Sequence, residues 1–277
     1  MVRQCVLGML LFHDFVQKEK ELEINKCYNE NCLDTMAKMP DGFIDLTVTS
    51  PPYDNLRTYN GYSFDFEAVA KELFRVTKQG GAVVWVVGDA TIKGSETGTS
   101  FRQALYFMDC GFNLHDTMIW NKPNPMPRDT RIKRYYQAFE YMFVFSKGIP
   151  SVCNHLRVPC KYAGEKRECY TRNADGTLRL DRKAKTQNHT VGDTKIKTNV
   201  WDCNTISRKD HPAPFPEALA NDHIISWSNE GDIVFDPFMG SGTTAKMAVL
   251  NKRNWIGSEI SDEYCKIIER RITTAST

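Results

Sequence analysis

Short apolar segments alternate with helical patterns along much of this chain, and this alternation constrains the fold more than any other feature. Residues 82–87 are apolar and mostly β-branched, which is typical of a strand covered on both faces of a parallel sheet. Residues 66–77 carry apolar side chains at helical spacing and stop before two glycines. Repeated units of this kind predict a doubly wound α/β fold with a mostly parallel sheet of seven strands. Further strands are predicted at 44–48, 117–120, 141–145, 233–235 and 255–257, and further helices at 101–108, 215–225, 243–250 and 262–271.

Residues 150–200 interrupt this alternation, because they are polar and give only weak strand signals. Between Arg157 and Lys197 there are eleven Lys and Arg against five Asp and Glu, a local excess of six positive charges in a chain of net charge +2. Such a segment suits contact with phosphates, and a solvated surface insertion explains the charge almost as well. We predict one α/β domain in two halves, 1–149 and 201–277, with an insertion at 150–200 between them.

Composition and cysteine usage indicate an ordinary globular protein. The nine cysteines include no C-x-x-C pair, so neither a disulfide framework nor a zinc site is indicated, and no metal is expected. Free thiols in a reducing cytoplasm are the simplest interpretation. The apolar stretch 5–12 is too short to span a bilayer and lacks a small-residue cleavage site, so no membrane partner is predicted.

A glycine turn follows the predicted strand at 233–235. Gly240 and Gly242 would let the backbone approach a ligand closely, and Thr243 is predicted to cap the next helix. In open α/β sheets, ligands bind beyond the carboxyl ends of the strands, where this turn would lie. The turn lacks the Gly-Lys-Ser/Thr ending of a phosphate-binding loop, so the ligand need not be a triphosphate.

Glu259 follows the next predicted strand, at 255–257. A carboxylate at this place can accept hydrogen bonds from ribose hydroxyls. An isolated glutamate would more often be a surface residue, but the preceding glycine turn favours the ribose role.

A proline-rich segment follows the predicted strand at 44–48. Pro51 and Pro52 fix the backbone and lack N–H donors, so the carbonyls of this loop are available to a ligand amine. Ser50 adds a hydroxyl, and Tyr53 offers a ring on which a planar base could stack. Taken alone, the segment is better interpreted as a turn that ends a strand, with the tyrosine packed in the core.

Together, the segments Thr49–Tyr53 and Asp236–Gly242 resemble the amino-methylating DNA methyltransferases. Their order along the chain resembles the beta subgroup of that family, and the resemblance extends from about residue 25 to 271. Segments Trp120–Pro127 and Glu140–Lys147 resemble those that shape the target-base pocket of the family, and His211–Pro216 resembles its cofactor-binding entry to a helix.

The resemblance implies S-adenosylmethionine as cofactor and duplex DNA as substrate. It makes 1–149 the catalytic half, 201–277 the cofactor-binding half and 150–200 the target-recognition insertion. The implied catalytic residues are Ser50, Pro51, Pro52 and Tyr53. The implied cofactor-binding residues are Asn31, Cys32, Phe215, Pro216, Asp236, Pro237, Phe238, Gly240, Gly242, Thr243 and Glu259.

The resembling family transfers the methyl group directly to an exocyclic amine after the base is flipped out of the duplex. Ser50 resembles the cytosine-N4 members, whereas adenine-N6 members more often carry Asp or Asn there, so we favour cytosine N4 and keep adenine N6 as the alternative. Carbon-5 methylation needs a nucleophilic cysteine. The Pro159-Cys160 pair lies inside the basic insertion and is interpreted as an ordinary cysteine.

Two other functional classes stay open at this point: a non-catalytic nucleic-acid-binding protein on the same fold, and methyl transfer to RNA or a small molecule. The intact motifs disfavour the first, and the basic insertion disfavours a small substrate. Because dimers occur in the resembling family, a homodimer is an expectation, and a cognate restriction endonuclease is a further functional partner to consider.

Overall fold

The computed structural model describes residues 22–52, 65–125, 133–167, 170–180, 189–205 and 216–275. Within them, eight strands form one sheet: β1 Lys26–Tyr28, β2 Ile44–Thr49, β3 Thr77–Val87, β4 Asn113–Asn121, β5 Phe139–Ser146, β6 Val200–Asp202, β7 Ile233–Asp236 and β8 Asn254–Ser258. The helices of the same residues are α1 Cys32–Ala37, α2 Phe66–Val76, α3 Thr99–Asp109, α4 Glu217–Trp227, α5 Thr243–Leu250 and α6 Asp262–Ala275.

The order of strands across the sheet is β1-β8-β7-β2-β3-β5-β4-β6. All neighbours pair in parallel except β5, which is antiparallel to both β3 and β4. The prediction of a doubly wound, mostly parallel sheet is therefore confirmed. The described sheet has eight strands rather than the predicted seven. Six of them match predicted ranges, and the two strands without a predicted range are β1 and β6, of three residues each. Strand β6 pairs with the outer side of β4 and buries Trp201.

Helices cover both faces of the sheet, and this explains why the sequence of β3 is continuously apolar. Val84 and Val86 face the layer of α4, α5 and α6, whereas Val83 and Trp85 face the layer of α1, α2 and α3. All four side chains are fully buried. A strand enclosed on both faces cannot alternate apolar with polar residues, so the continuous run at 82–87 was the correct signal.

Several predicted boundaries were wrong by a few residues, and two of them have a local cause. Helix α2 ends at Val76 and β3 begins directly at Thr77, although the sequence predicted a strand only from Ala82. The pairing of β2 with β3 shifts register between Ile44 and Leu46, which places residues 78–81 in an irregular strand start. Helix α4 begins at Glu217, later than predicted, because Pro216 takes the extended conformation of an N-cap residue.

The insertion contains short antiparallel strand pairs within its described part: 157–159 with 194–196, 166–167 with 189–190, and 170–172 with 178–180. Most of its described side chains are exposed. A further hairpin, 91–92 with 95–96, follows β3. No helix of the described residues is both long and apolar enough to cross a membrane.

Candidate active site

The proline-rich segment and the glycine turn meet at the topological switch point of the sheet, where the chain connections lead to opposite sides. After β7 the chain continues to β8 on one side, and after β2 it continues to β3 on the other. Strands β7 and β2 are parallel neighbours, with Phe235 opposite Thr47. Their carboxyl ends therefore border the crevice in which open α/β sheets bind ligands. Residues 50–52 follow β2 at this crevice, and residues 237–242 follow β7.

Asp236, the last residue of β7, joins these two segments. Its Oδ1 accepts a hydrogen bond from the Thr49 hydroxyl at 2.6 Å and from the backbone N–H of Phe238 at 3.0 Å. Its Oδ2 accepts one from the Thr244 hydroxyl at 2.7 Å. One carboxylate thus connects the residue before Ser50 to the glycine turn and to the first turn of α5.

Burial raises the pKa of Asp236 to about 6, although the hydrogen bonds from Thr49, Thr244 and Phe238 favour the charged form. The side chain is 5% exposed. A buried carboxylate is costly unless its lone pairs are satisfied, and here three donors surround it. The side chain consequently serves as a rigid connection between the two segments.

The glycine turn requires its glycines. Gly240 and Gly242 have φ values of 53° and 80°, in the left-handed region that favours glycine. A Cβ on Gly242 would also lie 2.9 Å from Cγ1 of Ile268 in α6. Gly242 itself is the N-cap residue of α5, and no side chain caps that helix. The prediction that Thr243 caps α5 was therefore wrong, because Thr243 is already the first helical residue.

Glu259 lies directly after β8 and contacts the glycine turn. Its Oε2 accepts a hydrogen bond from the backbone N–H of Gly240 at 2.8 Å, and its Oε1 accepts one from Ser261 at the same distance. Burial raises the pKa of Glu259, and these backbone donors oppose the shift. The structure thus brings together two predicted cofactor-binding features, and each carboxylate oxygen keeps a second acceptor position.

Residues 29–32 border the same crevice at the end of β1. The Asn29 side chain donates to the backbone carbonyl of Glu259 at 2.9 Å, which ties the end of β1 to that of β8. Asn31 is the N-cap of α1 and accepts a hydrogen bond from the N–H of Leu33 at 2.9 Å. The Cys32 side chain is 5% exposed and belongs to the core, where burial raises its pKa to about 12.

The remaining predicted residues fall in two groups. Pro51, Pro216 and Pro237 are buried, while Ser50, Pro52 and Phe238 are partly buried. Tyr53 and Phe215 lie outside the described residues, so their predicted roles stay predictions.

A network that the sequence did not suggest holds the glycine turn against α4. Arg271 of α6 donates to the Ser241 hydroxyl at 2.9 Å and to Glu217 at 2.7 Å. Lys246 of α5 also donates to Glu217, at 2.8 Å. Burial alone would raise the pKa of Glu217, but these two cations outweigh it and lower the pKa. Thr49 and Thr244 were missed as well, and only their position beside recognised motifs could have drawn attention to them.

A cleft of about 390 Å³ opens at the same edge of the sheet, beside the end of β3 and the start of β5. Its lining includes Asp89, which follows β3, and Glu140 and Tyr141 of the antiparallel β5. Asp89 accepts hydrogen bonds from the backbone N–H of Ser100 at 2.9 Å and from its hydroxyl. These contacts fix the first turn of α3 against the cleft.

The two segments that resemble pocket-forming elements of the family meet beside this cleft. Trp120 of β4 is paired with Glu140 of β5. Glu140 forms an ion pair with Lys122, and both side chains are less than one fifth exposed. The Lys122 ammonium also lies 4.5 Å from the centre of the Trp120 ring. Met126 and Pro127 lie outside the described residues.

The described residues include no group of three or more His, Cys, Asp or Glu side chains that could hold a metal ion. Cys160 follows the strand at 157–159 in the insertion, and its backbone N–H donates to the carbonyl of Asp193. It does not lie at the carboxyl end of a strand of the main sheet.

A family model described as DNA methylase matches residues 44–270, which contain the Ser50 segment, the glycine turn and Glu259. The chain belongs to this family of N6/N4 DNA methylases. It is 57% identical over 246 residues to the orphan methyltransferase M.BamHII of Bacillus amyloliquefaciens, a match that covers 84% of this chain and 89% of that protein. The type II methyltransferase M.BglII of Bacillus subtilis is 28% identical over 253 residues, which are 88% of this chain and 68% of that protein.

Solved structures share the fold. The PvuII DNA methyltransferase, named as cytosine-N4-specific, has a TM-score of 0.67 at 22% identity and covers 91% of this chain and 90% of its own. A DNA modification methylase of Thermus thermophilus in complex with S-adenosyl-L-methionine has a TM-score of 0.59 at 24% identity, covering 90% and 95%. The predicted family, the fold and S-adenosylmethionine as cofactor are confirmed, and the chain is an S-adenosylmethionine-dependent DNA methyltransferase.

Proposed function

We propose that this methyltransferase acts on the exocyclic N4 amine of cytosine in duplex DNA. The observation that supports methyl transfer at this site is the Asp236 connection, which fixes Thr49, and with it the start of the Ser50 segment, against the glycine turn. A group held by Ser50 and a cofactor held by the glycine turn would then meet at the switch point of the sheet. Such fixed placement of two reactants supplies much of the acceleration in a direct transfer.

The cofactor site that we propose consists of the glycine turn, Glu259 and the residues after β1. The positive φ values of Gly240 and Gly242 form the tight turn whose backbone the proposed ligand would contact. The second acceptor positions of Glu259 fit ribose hydroxyls. The other proposed contacts are Asn31, Cys32, Phe215, Pro216, Asp236, Pro237, Phe238 and Thr243. For Cys32 and Asp236 only backbone contact or indirect positioning fits, because both side chains are buried.

When bound, S-adenosylmethionine supplies an activated methyl group on a sulfonium. In the mechanism that we propose, the Ser50 hydroxyl and the Pro51 carbonyl accept hydrogen bonds from the target amine. These bonds would orient the nitrogen lone pair toward the methyl carbon and stabilise the positive charge that develops on the nitrogen. The new N–C bond would replace the S–C bond of the sulfonium, whose sulfur would keep that electron pair and leave as a neutral thioether. The surplus proton of the amine would pass through the Ser50 hydroxyl to water. Pro52 keeps the segment rigid, and Tyr53 stacks on the flipped base. No covalent bond to the enzyme is needed.

Two observations support cytosine over adenine. Ser50 is a neutral residue where the adenine-N6 members of the resembling family more often carry Asp or Asn. In addition, the PvuII enzyme, with a TM-score of 0.67, is named as cytosine-N4-specific. Adenine N6 is the alternative that the same experiment tests.

The test is incubation with isotope-labelled cofactor and mixed-sequence duplex DNA, followed by mass analysis of the nucleosides. We expect N4-methylcytosine. N6-methyladenine would replace the favoured target by the alternative, and cofactor binding without transfer to any DNA would favour the non-catalytic nucleic-acid-binding protein. The same assay with RNA in place of DNA tests the remaining substrate class.

A Ser50→Ala variant separates the catalytic role from folding. We expect unchanged cofactor affinity and a loss in kcat on the order of 100-fold, because one hydrogen bond to the developing charge is removed. Ser226→Ala is the matched control, since the Ser226 hydroxyl donates to the Asp222 carbonyl one turn earlier in α4, near the end of that helix that leads to the start of β7. Equal kcat values for both variants would remove Ser50 from the mechanism.

Residues 150–200 are proposed as the target-recognition region between the two halves 1–149 and 201–277. The positive excess between Arg157 and Lys197 supports contact with phosphates. A substrate of genomic DNA also supports a cytoplasmic location. The type II relatives support a cognate restriction endonuclease as a functional partner, whereas the relative described as orphan does not.

We also propose a homodimer that forms through α3. Phe101, Leu105 and Met108 follow one another at helical spacing and are 51%, 62% and 45% exposed. Arg102 and Asp109, one near each end of α3, are exposed beside this apolar stripe. If two copies of α3 pack antiparallel about a two-fold axis, Arg102 lies close to Asp109 of the partner subunit. The stripe is therefore complementary to itself in both apolar surface and charge.

A further inference from the structure

Residues 133–136 combine two cations with two aromatic rings at the rim of the cleft. Their sequence is Lys-Arg-Tyr-Tyr, and they lie outside the basic insertion. The Tyr135 side chain is 99% exposed, and Tyr136 is 47% exposed. A single exposed aromatic residue needs no explanation, but one that directly follows two cations at the rim of this cleft does.

This segment is held by the contacts of Arg134 with a neighbouring hairpin and by the continuation of the chain into β5. The Arg134 guanidinium forms an ion pair with Glu96 at 3.3 Å and donates to the backbone carbonyl of Gly94, both in the hairpin that follows β3. On its other side the chain enters β5 at Phe139. Arg134 is therefore a positioning residue, which presents Tyr135 at the carboxyl edge of the sheet, where residues 50–52 also lie.

Other aromatic rings of the cleft are already engaged with one another. Tyr141 stacks on Phe143 with ring centres 5.1 Å apart and packs edge-on against Phe139 and Phe101. These rings pack together on one side of the cleft. Tyr135, by contrast, presents its ring to solvent, and a tyrosine loses little conformational entropy when a partner covers it.

We propose that residues 133–136 form a DNA contact separate from the insertion, in which Tyr135 stacks on a base of the opened duplex and Lys133 neutralises a phosphate. The proposal rests on DNA as the substrate. Stacking on an aromatic side chain suits bases that have lost a neighbour, and opening of the duplex creates such bases beside the flipped nucleotide. The exposed Lys133, two residues before Tyr135, supplies the electrostatic part of the contact.

The experiment measures binding of fluorescently labelled mixed-sequence duplex DNA by anisotropy, and methyl transfer to the same DNA, with cofactor affinity as a folding control. We expect Tyr135→Ala to weaken DNA binding or raise the KM for DNA about 5- to 150-fold, the range for one stacked base. Tyr135→Phe keeps the ring and should stay within about twofold of the parent, whereas Tyr135→Leu should behave like Tyr135→Ala.

Ile149→Ala is the matched control, because Ile149 is 88% exposed at the opposite edge of the sheet. If Tyr135→Ala binds and methylates DNA as well as Ile149→Ala does, the proposal is wrong. Equal losses for Tyr135→Phe and Tyr135→Ala would also exclude stacking as the cause.

Methyl transfer to cytosine and the DNA contact of Tyr135 can each be contradicted without the other. A parent protein that binds DNA through Tyr135 but transfers no methyl group contradicts the proposed function and leaves the contact in place. A parent protein that methylates DNA regardless of position 135 contradicts only the contact.

Discussion

Asp236 makes a specific prediction about pH. Its pKa is about 6 in the folded chain, against an ordinary value of 3.8. Between about pH 4 and pH 6 the unfolded chain has released this proton and the folded chain still holds it. The folded state then binds more protons, so the free energy of unfolding should fall as the pH rises through this window and level off above it.

Urea unfolding of the parent and of Asp236→Asn between pH 4 and pH 7 tests this. The asparagine cannot ionise, so the stability difference between the two proteins should change only in that window. The subtraction also removes most of the contribution of Glu259, whose pKa is raised as well. A difference that stays constant with pH would show that ionisation of Asp236 is not coupled to folding.

Gly242 is constrained both by its left-handed backbone conformation and by its close packing against α6, and a matched control can separate the two effects. Its φ is 80°, and a Cβ would lie 2.9 Å from Cγ1 of Ile268, whereas Gly231 has a φ of 87° and open space around it. Gly231→Ala should cost about 1 kcal/mol from backbone strain alone. Gly242→Ala should cost about 1–3 kcal/mol more, because the new methyl group overpacks against α6. Urea unfolding measures both, and equal costs would mean that Ile268 moves aside freely.

At the scale of single elements, the apolar stripe of α3 predicts the oligomeric state. Leu105→Glu places a charge in the centre of the proposed interface and should convert a dimer into a monomer in sedimentation equilibrium. Leu250→Glu is the control, since Leu250 lies at the end of another helix and is 53% exposed. A parent protein that is monomeric at micromolar concentration, or a Leu105→Glu variant that stays dimeric, contradicts the α3 interface.

The helices and strands differ in how well the sequence predicts them. Strands enclosed on both faces, such as 82–87, gave clear apolar runs, and each was found. The earlier part of β3 was missed because Gly80 and Gly81 disfavour strands. Only the structure shows that a Cβ at Gly81 would lie 2.9 Å from the carbonyl of Asp45 in β2. Strands β1 and β6 were missed because three residues are too short to show a period.

The candidate site was predictable only in part, for a similar reason. The glycine turn and Glu259 follow successive strands, so their proximity could be inferred, and the contact of Gly240 with Glu259 agrees with it. The Arg271 contact with Ser241 joins residues 30 positions apart and leaves no periodic signal. The hydrogen bond from Thr49 to Asp236 spans 187 positions. Contacts of this kind depend on the order of the strands in the sheet. The sequence predicts the fold class but not that order.

For the whole molecule, the distribution of charge matters more than its sum. A net charge of +2 would predict weak electrostatic attraction to DNA, but the insertion carries a local excess of six positive charges. The logarithm of the DNA association constant should therefore fall steeply with the logarithm of salt concentration, by about 0.9 for each phosphate contacted. Lys195→Ala, an exposed position on the 194–196 strand, should reduce that slope by roughly one contact.

Lys252→Ala provides the comparison, because Lys252 is also well exposed but lies in the turn before β8, at the edge of the sheet opposite the active site. Each variant removes one positive charge, so a difference between their slopes reports where DNA lies and not how much charge the protein carries. If both variants reduce the slope equally, binding follows net charge, and the insertion has no special role in holding phosphates. If only Lys195→Ala reduces it, the DNA contacts the insertion at the 194–196 strand.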